Sequence, residues 1–292
     1  MIECRNLFLT WDGSRAPVEA VRDLSFVAND GEIVAIIGPS GCGKTSTLAM
    51  LGGLERPNKG EMLLDNVPIN GPSPERGVIF QTPHLFPWLN VQKNVEFGLK
   101  MKGVDREDRS RLTHAILRYV GLFDWRDRYP HELSGGMKQR VAMARVLINK
   151  PRILLVDEPL TSLDRQTRIY IMQHFFLQER DKRNLIVLYV THYVDEAVLF
   201  ANKVLVLSAR PATVLEEVEI KLDYPRDPTS PGFHGYWLRL TKLLNQELEK
   251  TFDRESALYR GGREAEFADS LSARFSDLGF NIREEGVKIN EK

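Results

Sequence analysis

A glycine-rich stretch between an apolar run and a helical run constrains this chain more than any other feature. Residues 38–45 read GPSGCGKT, directly after EIVAII (32–37) and before TSTLAMLGGL (45–54). Because glycines let the backbone approach closely, successive N–H groups of such a loop can converge on phosphates at the N-terminus of the following helix. The pattern therefore predicts a buried strand, a phosphate-binding loop and a helix.

The end of this loop supplies a positive charge and a hydroxyl. Lys44 places a point charge near the β- and γ-phosphates, and the Thr45 hydroxyl can ligate Mg²⁺. A chance glycine-rich turn is the alternative, and the strand before the loop together with the helix after it argues against that. The candidate nucleotide ligands here are Gly38, Pro39, Ser40, Gly41, Cys42, Gly43, Lys44, Thr45 and Ser46.

Two neighbouring carboxylates follow a second apolar run. Residues 152–158 read RILLVDE, which predicts a buried strand ending at Asp157 and Glu158. In this arrangement Asp157 holds Mg²⁺ through water, and Glu158 faces the water that attacks the γ-phosphate. An apolar strand followed by two acids is by itself more often a capped strand end, so it is the phosphate loop that favours the catalytic interpretation.

A second candidate anion site precedes the carboxylates. Residues 133–147 read LSGGMKQRVAMARVL, and Ser134, Gly135 and Gly136 stand where a helix is predicted to begin. Their hydroxyl and N–H groups, with the helix dipole behind them, can bind phosphate. An ordinary serine-capped helix is the alternative. Two phosphate-binding ends in one chain suggest that ATP is bound between two copies arranged head to tail.

Apolar runs rich in β-branched residues alternate with helical patterns, which predicts an α/β fold with a buried, mostly parallel sheet. The predicted strands are residues 32–37, 77–80, 152–156, 185–191 and 203–207. Strand signals disappear between residues 84 and 150, where Asp105 and Asp108 open a helix. We therefore predict an inserted helical subdomain. Its helix carries an apolar face of Leu112, Ile116, Leu117 and Val120.

These patterns give a provisional domain organisation. We expect one cassette over residues 1–250, followed by an extension of unknown role at 251–292. The cassette consists of a core (1–83 and 151–225), the helical subdomain (84–150) and a C-terminal helix (232–250). The extension carries one amphipathic helical pattern, formed by Phe267, Leu271, Phe275 and Leu278.

Composition excludes several classes of protein. The 40 basic and 40 acidic side chains cancel, so no strong positive charge directs the chain to nucleic acid. The longest apolar runs are far shorter than the about 20 residues of a membrane helix, and the first residues lack the features of a secretion signal. Only Cys4 and Cys42 occur, which argues against a disulfide framework or a zinc site. We expect a cytoplasmic protein whose contact with a membrane is peripheral.

The order GPSGCGKT, VIFQ, LSGGMKQR, ILLVDEP, SLD and VTH resembles the nucleotide-binding subunits of ATP-binding-cassette (ABC) transporters, over about residues 2–225. The resemblance implies a P-loop NTPase (RecA-like) core with a mostly parallel sheet, an N-terminal antiparallel β region and an inserted α-helical subdomain. It also implies hydrolysis of ATP with Mg²⁺ as cofactor. The same reading makes a second copy of the chain the partner in a head-to-tail homodimer.

The resemblance assigns roles that the residues alone would not. Gln81 becomes the loop residue that reaches Mg²⁺ and the attacking water, His192 the switch histidine on the γ-phosphate, and Asp164 a bridge between the two chains. Trp11 is the candidate for stacking on adenine, with Phe8 as runner-up. Whether Val18 or Ala20 completes the adenine wall is left open.

The resemblance also favours a membrane partner. In this family the region of Leu85, Phe86, Pro87 and Trp88 receives the coupling helix of a permease. Such a permease must here be a separate polypeptide, as in bacterial importers that also use an extracytoplasmic solute-binding protein. The stretches PHLFPWLNV, SARPATV and YPRDPTSP resemble the branch that imports nitrate, sulfonates and taurine.

Two other functions fit the sequence less well. A soluble cassette ATPase acting on nucleic acid or ribosomes would carry two cassettes or a long heptad insert, and neither pattern is present in the sequence. A small-molecule kinase with a phosphate loop would leave LSGGMKQR without a role. Importers of another class of solute remain an alternative to the anion branch.

Overall fold

The structure, a computed structural model, describes residues 1–12, 16–158 and 165–260 of the 292-residue chain. In chain order, the strands of these ranges are β1 (Ile2–Trp11), β2 (Val18–Ala28), β3 (Ile33–Ile37), β4 (Lys59–Leu64), β5 (Val67–Pro68), β6 (Arg76–Ile79), β7 (Ile153–Asp157), β8 (Ile186–Val190), β9 (Lys203–Leu207) and β10 (Val214–Glu219). The helices are α1 (Lys44–Leu51), α2 (Val91–Met101), α3 (Arg106–Tyr119), α4 (Gly135–Leu147), α5 (Arg165–Ile171), α6 (Gln178–Arg183), α7 (Val194–Phe200) and α8 (Pro231–Arg260). A π-helical segment, Met172–Leu177, joins α5 to α6, and short 3₁₀ segments lie at Phe123–Trp125 and Pro130–Glu132.

A six-stranded sheet in the order β10-β9-β3-β8-β7-β6 forms the centre of the fold. The strands from β9 to β6 run parallel, while β10 runs antiparallel to β9 at one edge. Every residue of β3, β7 and β8 is buried, as expected of parallel strands covered on both faces. The five predicted parallel strands are confirmed, and each lies within one residue of its predicted bounds.

Alternate side chains of β3 enter two different cores, because successive strand residues point to opposite faces. Ile33, Ala35 and Ile37 pack on the side of α2, α4 and α7. Val34 and Ile36 pack against α1 and a second sheet. This second sheet has the order β2-β1-β4-β5 and is antiparallel, which confirms the antiparallel N-terminal region that the resemblance implied.

The chain between β6 and β7 is fully described and contains helices but no strand. As predicted, α3 begins after Asp105, whose carboxylate accepts hydrogen bonds from the N–H groups of Glu107 (2.8 Å) and Asp108 (3.1 Å). Ser134 caps α4 in the same way by accepting from the N–H of Met137 at 3.3 Å. Both caps satisfy donors that a helix N-terminus leaves unpaired.

Residues 1–245 form one compact unit, and of the described residues those from 246 to 260 are set apart from it. Within the first unit, Leu240 of α8 is fully buried. The predicted amphipathic pattern at Phe267, Leu271, Phe275 and Leu278 lies outside the described residues. Among the helices of the described ranges, none combines the length and the apolarity needed to cross a bilayer.

A buried asparagine fixes the loop that precedes α2. Asn94 is fully buried, and its Nδ2 donates to the carbonyls of Phe86 (3.1 Å), Leu89 (2.8 Å) and Asn90 (3.1 Å). Its Oδ1 accepts from the N–H of Phe86 at 2.8 Å. One side chain thus satisfies the backbone of residues 86–90, which has no regular partner strand.

Replacing Asn94 by alanine should lower the free energy of unfolding by about 1–3 kcal/mol, because the backbone groups of Phe86, Leu89 and Asn90 would lose their hydrogen bonds to this buried side chain. Urea denaturation measures this loss, and amide hydrogen exchange should accelerate at residues 86–89. Lys93→Ala, at the exposed neighbouring position, is the control and should change neither quantity. Equal stability and equal exchange in the two variants would contradict this role for Asn94.

Candidate nucleotide-binding site

The predicted site residues gather at one edge of the central sheet. The phosphate loop follows β3, Asp157 ends β7, and His192 follows β8 by two residues. Because β8 lies between β3 and β7 and all three are parallel, their carboxyl ends meet at this edge. Ligands of open α/β sheets bind at such an edge.

The loop conformation requires glycine at two positions. Gly41 has φ +70° and Gly43 has φ +126°, a region that residues with side chains rarely adopt. A Cβ at Gly43 would also lie 2.5 Å from the carbonyl oxygen of Ala20. A side chain at this position would therefore push the loop away from β2.

Lys44 folds back over its own loop. Its Nζ donates to the carbonyls of Gly38 (2.9 Å) and Pro39 (2.8 Å), and the residue is only 5% exposed. The ammonium group therefore lies inside the curve of the loop. At this position it can add positive charge to the helix N-terminus behind it.

Thr45 and Asp157 bring a hydroxyl and a carboxylate together beside the loop. The Thr45 hydroxyl donates to Oδ1 of Asp157 at 3.3 Å. Burial raises the pKa of the Asp157 carboxyl, and the nearby Glu158 adds to the increase. Among the described residues there is no cluster of three or more His, Cys, Asp or Glu that would hold a metal by itself. A hydroxyl and one carboxylate fit Mg²⁺, which binds proteins through one or two such groups and takes its other ligands from phosphates and water.

Glu158 and His192 lie in direct contact. Nε2 of His192 is 2.5 Å from Oε1 of Glu158. Glu158 also has φ +43°, an uncommon conformation for a residue with a side chain, and such strain concentrates at functional sites. The carboxylate is thereby turned away from β7 toward the histidine that follows β8.

A cleft of about 350 Å³ opens above the loop. Trp11 is 38% exposed, and its Nε1 donates to Oγ of Ser46 at 3.3 Å. Both residues left open for the adenine wall, Val18 and Ala20, lie in the cleft, whereas the runner-up Phe8 is not among the residues that line it. The lining residues are Trp11, Val18, Ala20, Ser40, Gly41, Gly43, Lys44, Thr45, Ser46, Glu158, His192 and Arg210.

Other predicted residues lie beside this cleft rather than in its wall. Cys42 is 1% exposed, and its Sγ lies 3.0 Å from the position that a Cβ on Gly38 would take. Gly38 and Pro39 contribute the carbonyls that hold Lys44. These three residues therefore shape the loop from behind.

Three predicted contributions are not brought into the cleft. Gln81 lies two residues beyond β6 at the same sheet edge and is exposed. The segment Ser134–Gly136 begins α4 and does not line the cleft. Asp164 lies outside the described residues. The roles of these residues stay predictions.

α4 holds the segment that carries Gln81. Nε2 of Gln139 donates to the carbonyl of Phe80 at 3.2 Å, and Gln139 is 1% exposed. The guanidinium of Arg145 donates to the carbonyls of Pro83 (3.1 Å) and His84 (2.9 Å). The helix that begins at Ser134 is thus fastened to both sides of Gln81.

Sequence reasoning missed Arg210, which lines the cleft. The sequence signal that could have found Arg210 is a basic residue shortly after β9. This strand pairs with β3 on the side opposite β8. The strand order was needed to see that β9 ends beside the phosphate loop.

Comparison with known proteins agrees with this geometry. The family described as ABC transporter matches residues 21–161. An uncharacterized ABC transporter ATP-binding protein of Methanocaldococcus jannaschii is 42% identical over 250 residues, which cover 86% of this chain and 93% of that protein. The chain belongs to the ABC transporter family. It is an ATPase subunit of this family, an enzyme that hydrolyses ATP.

Relatives of this ABC ATPase include subunits named for import. The nitrate import ATP-binding protein NrtD of Synechocystis is 38% identical over 272 residues, covering 93% of this chain and 99% of NrtD. The taurine import ATP-binding protein TauB of Yersinia pestis is 42% identical over 201 residues, covering 69% of this chain and 78% of TauB. A solved dimeric ATP-binding cassette, in a post-hydrolysis state with ADP and Pi, has a TM-score of 0.68 and 29% identity, and the match covers 76% of this chain and 100% of that one.

The environment of Cys42 in this ABC ATPase leads to a pH-dependent prediction. Burial raises the pKa of the Cys42 thiol, and the thiolate is the form that reacts with alkylating agents. Alkylation should therefore be slow at neutral pH and should keep accelerating above about pH 8.5, where an exposed thiol is already half ionised. Stopped reactions with mass-spectrometric peptide mapping measure the rate at Cys42 separately from that at Cys4.

Modification at Cys42 should abolish ATP binding, because an added group behind the loop has no space. MgATP should protect the thiol. Alkylated protein that binds ATP with unchanged affinity would show that the loop is wrongly assigned.

Proposed function

We propose that this chain is the ATP-hydrolysing subunit of an importer for a small solute, an anion such as nitrate, a sulfonate or taurine. The observation that carries the proposal is the meeting of the phosphate loop with Asp157, Glu158 and His192 at one sheet edge. The names of the similar nitrate and taurine import subunits support the solute class.

The side chains of the cleft and those beside it would have distinct tasks in hydrolysis. The loop N–H groups and Lys44 bind the β- and γ-phosphates, while Trp11 stacks on adenine. Thr45 and Asp157 would hold Mg²⁺, and Gln81 would reach it from the end of β6. When bound, the metal neutralises charge that develops on the phosphates.

Glu158 orients the attacking water and accepts its proton at a carboxylate oxygen. His192, whose Nε2 lies 2.5 Å from Oε1 of Glu158, would turn that N–H to the γ-phosphate when ATP binds.

A second copy of the chain completes the site. Ser134, Gly135 and Gly136 lie at the start of α4, outside the cleft of their own chain. In a head-to-tail homodimer these residues would contact the γ-phosphate bound by the partner's loop, with Asp164 bridging the two chains. The dimeric state of a similar solved cassette supports this arrangement.

The permease, a separate transmembrane subunit, would dock at residues 85–88 and thereby hold this ATPase at the cytoplasmic face of the membrane. Trp88 is 70% exposed, and its ring lies 5.7 Å from that of Phe86, centroid to centroid. A cavity of about 550 Å³ opens beside Trp88 and the neighbouring α2. An exposed aromatic next to a cavity suits the insertion of a helix. An extracytoplasmic solute-binding protein would act through the permease.

We retain the division into a cassette (residues 1–250) and an extension (251–292) as part of this proposal. The core would comprise 1–83 and 151–225 and the helical subdomain 84–150. The C-terminal helix predicted at 232–250 corresponds to α8, which runs from Pro231 to Arg260 and so continues into the predicted extension. The helices α2, α3 and α4 lie within residues 84–150 and support the bounds of the helical subdomain. The extension is assigned no role.

Glu158→Gln should bind ATP with near-normal affinity and lower steady-state hydrolysis by at least about 100-fold, because the amide cannot accept a proton from water. Phosphate release measures turnover, and light scattering after size exclusion should show a dimer that persists with MgATP. Glu107→Gln, at an exposed position of α3, is the matched control. Normal turnover in the Glu158 variant would refute its assignment.

A pull-down from membranes tests the importer. The tagged chain, expressed in its own host, should retain a transmembrane permease, and Trp88→Ala should lose it while still binding ATP. Trp125→Ala, which truncates another exposed tryptophan, should retain it. Recovery of nucleic acid or ribosomes in place of a permease would overturn the transport function.

The solute class has its own test. Deletion of the gene should abolish growth on nitrate as nitrogen source, or on taurine or an alkanesulfonate as sulfur source. Growth on all of these after deletion would exclude the anion class and leave the ATPase assignment intact.

A further inference from the structure

A tightly fastened turn packs against the phosphate loop. Residues 208–213 connect β9 to β10, and the N–H of Ser208 donates to the carbonyl of Thr213 at 3.0 Å. The Ser208 hydroxyl donates to the carbonyl of Pro211 at 2.8 Å and accepts from the N–H of Thr213 at 2.9 Å. The turn is thus held closed by its own first and last residues.

The same turn is joined to β2. The N–H of Ala212 donates to the carbonyl of Ala20 at 2.9 Å, and the N–H of Arg22 donates to the carbonyl of Ala212 at 2.9 Å. Ala212 is fully buried, and its Cβ lies 3.0 Å from the position that a Cβ on Gly43 would take. The turn therefore has a fixed position relative to the loop.

From this fixed position one side chain reaches the loop. Nε and Nη2 of Arg210 both donate to the carbonyl oxygen of Gly41, at 3.0 Å and 2.9 Å. The two donors belong to one planar guanidinium, whose geometry is rigid. The carbonyl of Gly41 is therefore held in one direction by two hydrogen bonds.

That carbonyl belongs to a peptide unit that could otherwise rotate. Gly41 has φ +70°, and glycine has no Cβ to oppose a change in backbone direction. The other end of the same peptide, the N–H of Cys42, donates to the carbonyl of Pro39 at 3.3 Å. A reversed peptide would direct a partial negative charge toward bound phosphates, whereas an anion site needs its N–H groups to point inward.

We propose that Arg210 is a positioning residue for the phosphate loop, which holds the Gly41 carbonyl away from the phosphates so that the loop can bind the β- and γ-phosphates of ATP. The inference rests on the proposed nucleotide site. It goes beyond that site by assigning a role to the SARPAT turn. An alternative role for Arg210 is simple attraction between its positive charge and the phosphates. The Arg210→Lys variant, which keeps the charge, separates this role from positioning of the Gly41 carbonyl.

Isothermal titration with ATP, ADP and AMP tests the inference on the full chain. Arg210→Met should weaken ATP and ADP binding about tenfold, the size expected when a charge-assisted hydrogen bond is lost, and should leave AMP binding unchanged, since AMP has no β-phosphate. Arg210→Lys keeps the charge but not the rigid pair of donors, so it should bind ADP nearly as weakly as the Met variant. Arg111→Met, which removes an exposed arginine from α3, should match the wild type.

Reactivity of Cys42 gives a second readout. Without nucleotide, Cys42 should be alkylated faster in Arg210→Met than in the wild type, because the loop in front of the thiol is no longer held. The charge of Arg210 lowers the pKa of Cys42, so its removal alone would slow the reaction. An increased rate therefore reports movement of the loop.

The outcomes distinguish this inference from the proposed function. If the wild-type chain fails to bind ATP, the proposed nucleotide site is wrong. If the wild type binds ATP and the Met variant binds ADP equally well, the positioning role is refuted while the site stands. Full recovery of ADP affinity in the Lys variant, or equal weakening of AMP binding and ADP binding, would also refute it.

Melting curves by circular dichroism should coincide for all variants, since Arg210 is exposed.

Discussion

The absence of a side chain at Gly43 is the constraint on which the rest of the site depends. At this residue the phosphate loop touches the backbone of β2, and a Cβ would lie 2.5 Å from the carbonyl oxygen of Ala20. The antiparallel sheet can therefore approach the central sheet closely enough for Trp11 and Ser46 to form a hydrogen bond. Because this contact limits how closely the two sheets can approach, it fixes the position of Trp11 relative to the phosphate loop.

Two acidic residues at the end of β7 are held in energetically unfavourable states. Burial raises the pKa of Asp157, which means that its ionised form is less favoured in the folded chain than in water. Glu158 adopts φ +43°, which is also unfavourable. Asp157 is the last residue of β7, a strand with every residue buried, and Glu158 follows it directly. The packing of such strands in two cores offsets the cost, so the fold can keep a desolvated carboxylate and a strained residue at the edge of the sheet.

Local chemistry determined which parts could be predicted from the sequence. Continuous apolar runs predicted the parallel strands. Asp105 and Ser134 predicted the starts of two helices, because the side chain of each accepts a hydrogen bond from an N–H group in the first turn of its helix. Arg210 could not be found in this way, since its contact with Gly41 depends on β9 lying beside β3. Strand order results from the packing of distant segments and leaves little trace in local sequence. The π-helical segment Met172–Leu177 likewise had no local signal that we recognised.

The three hydrogen bonds from α4 to the segment around Gln81 have a mechanical consequence. Gln139 and Arg145 hold the carbonyls of Phe80, Pro83 and His84, so a rotation of α4 carries that segment with it. α4 therefore links Ser134, which caps its first turn, to the segment leading to Trp88, which Arg145 contacts near the end of the helix. A displacement of the first turn of α4 would therefore also move the backbone of residues 80–84, which lies next to the exposed Trp88.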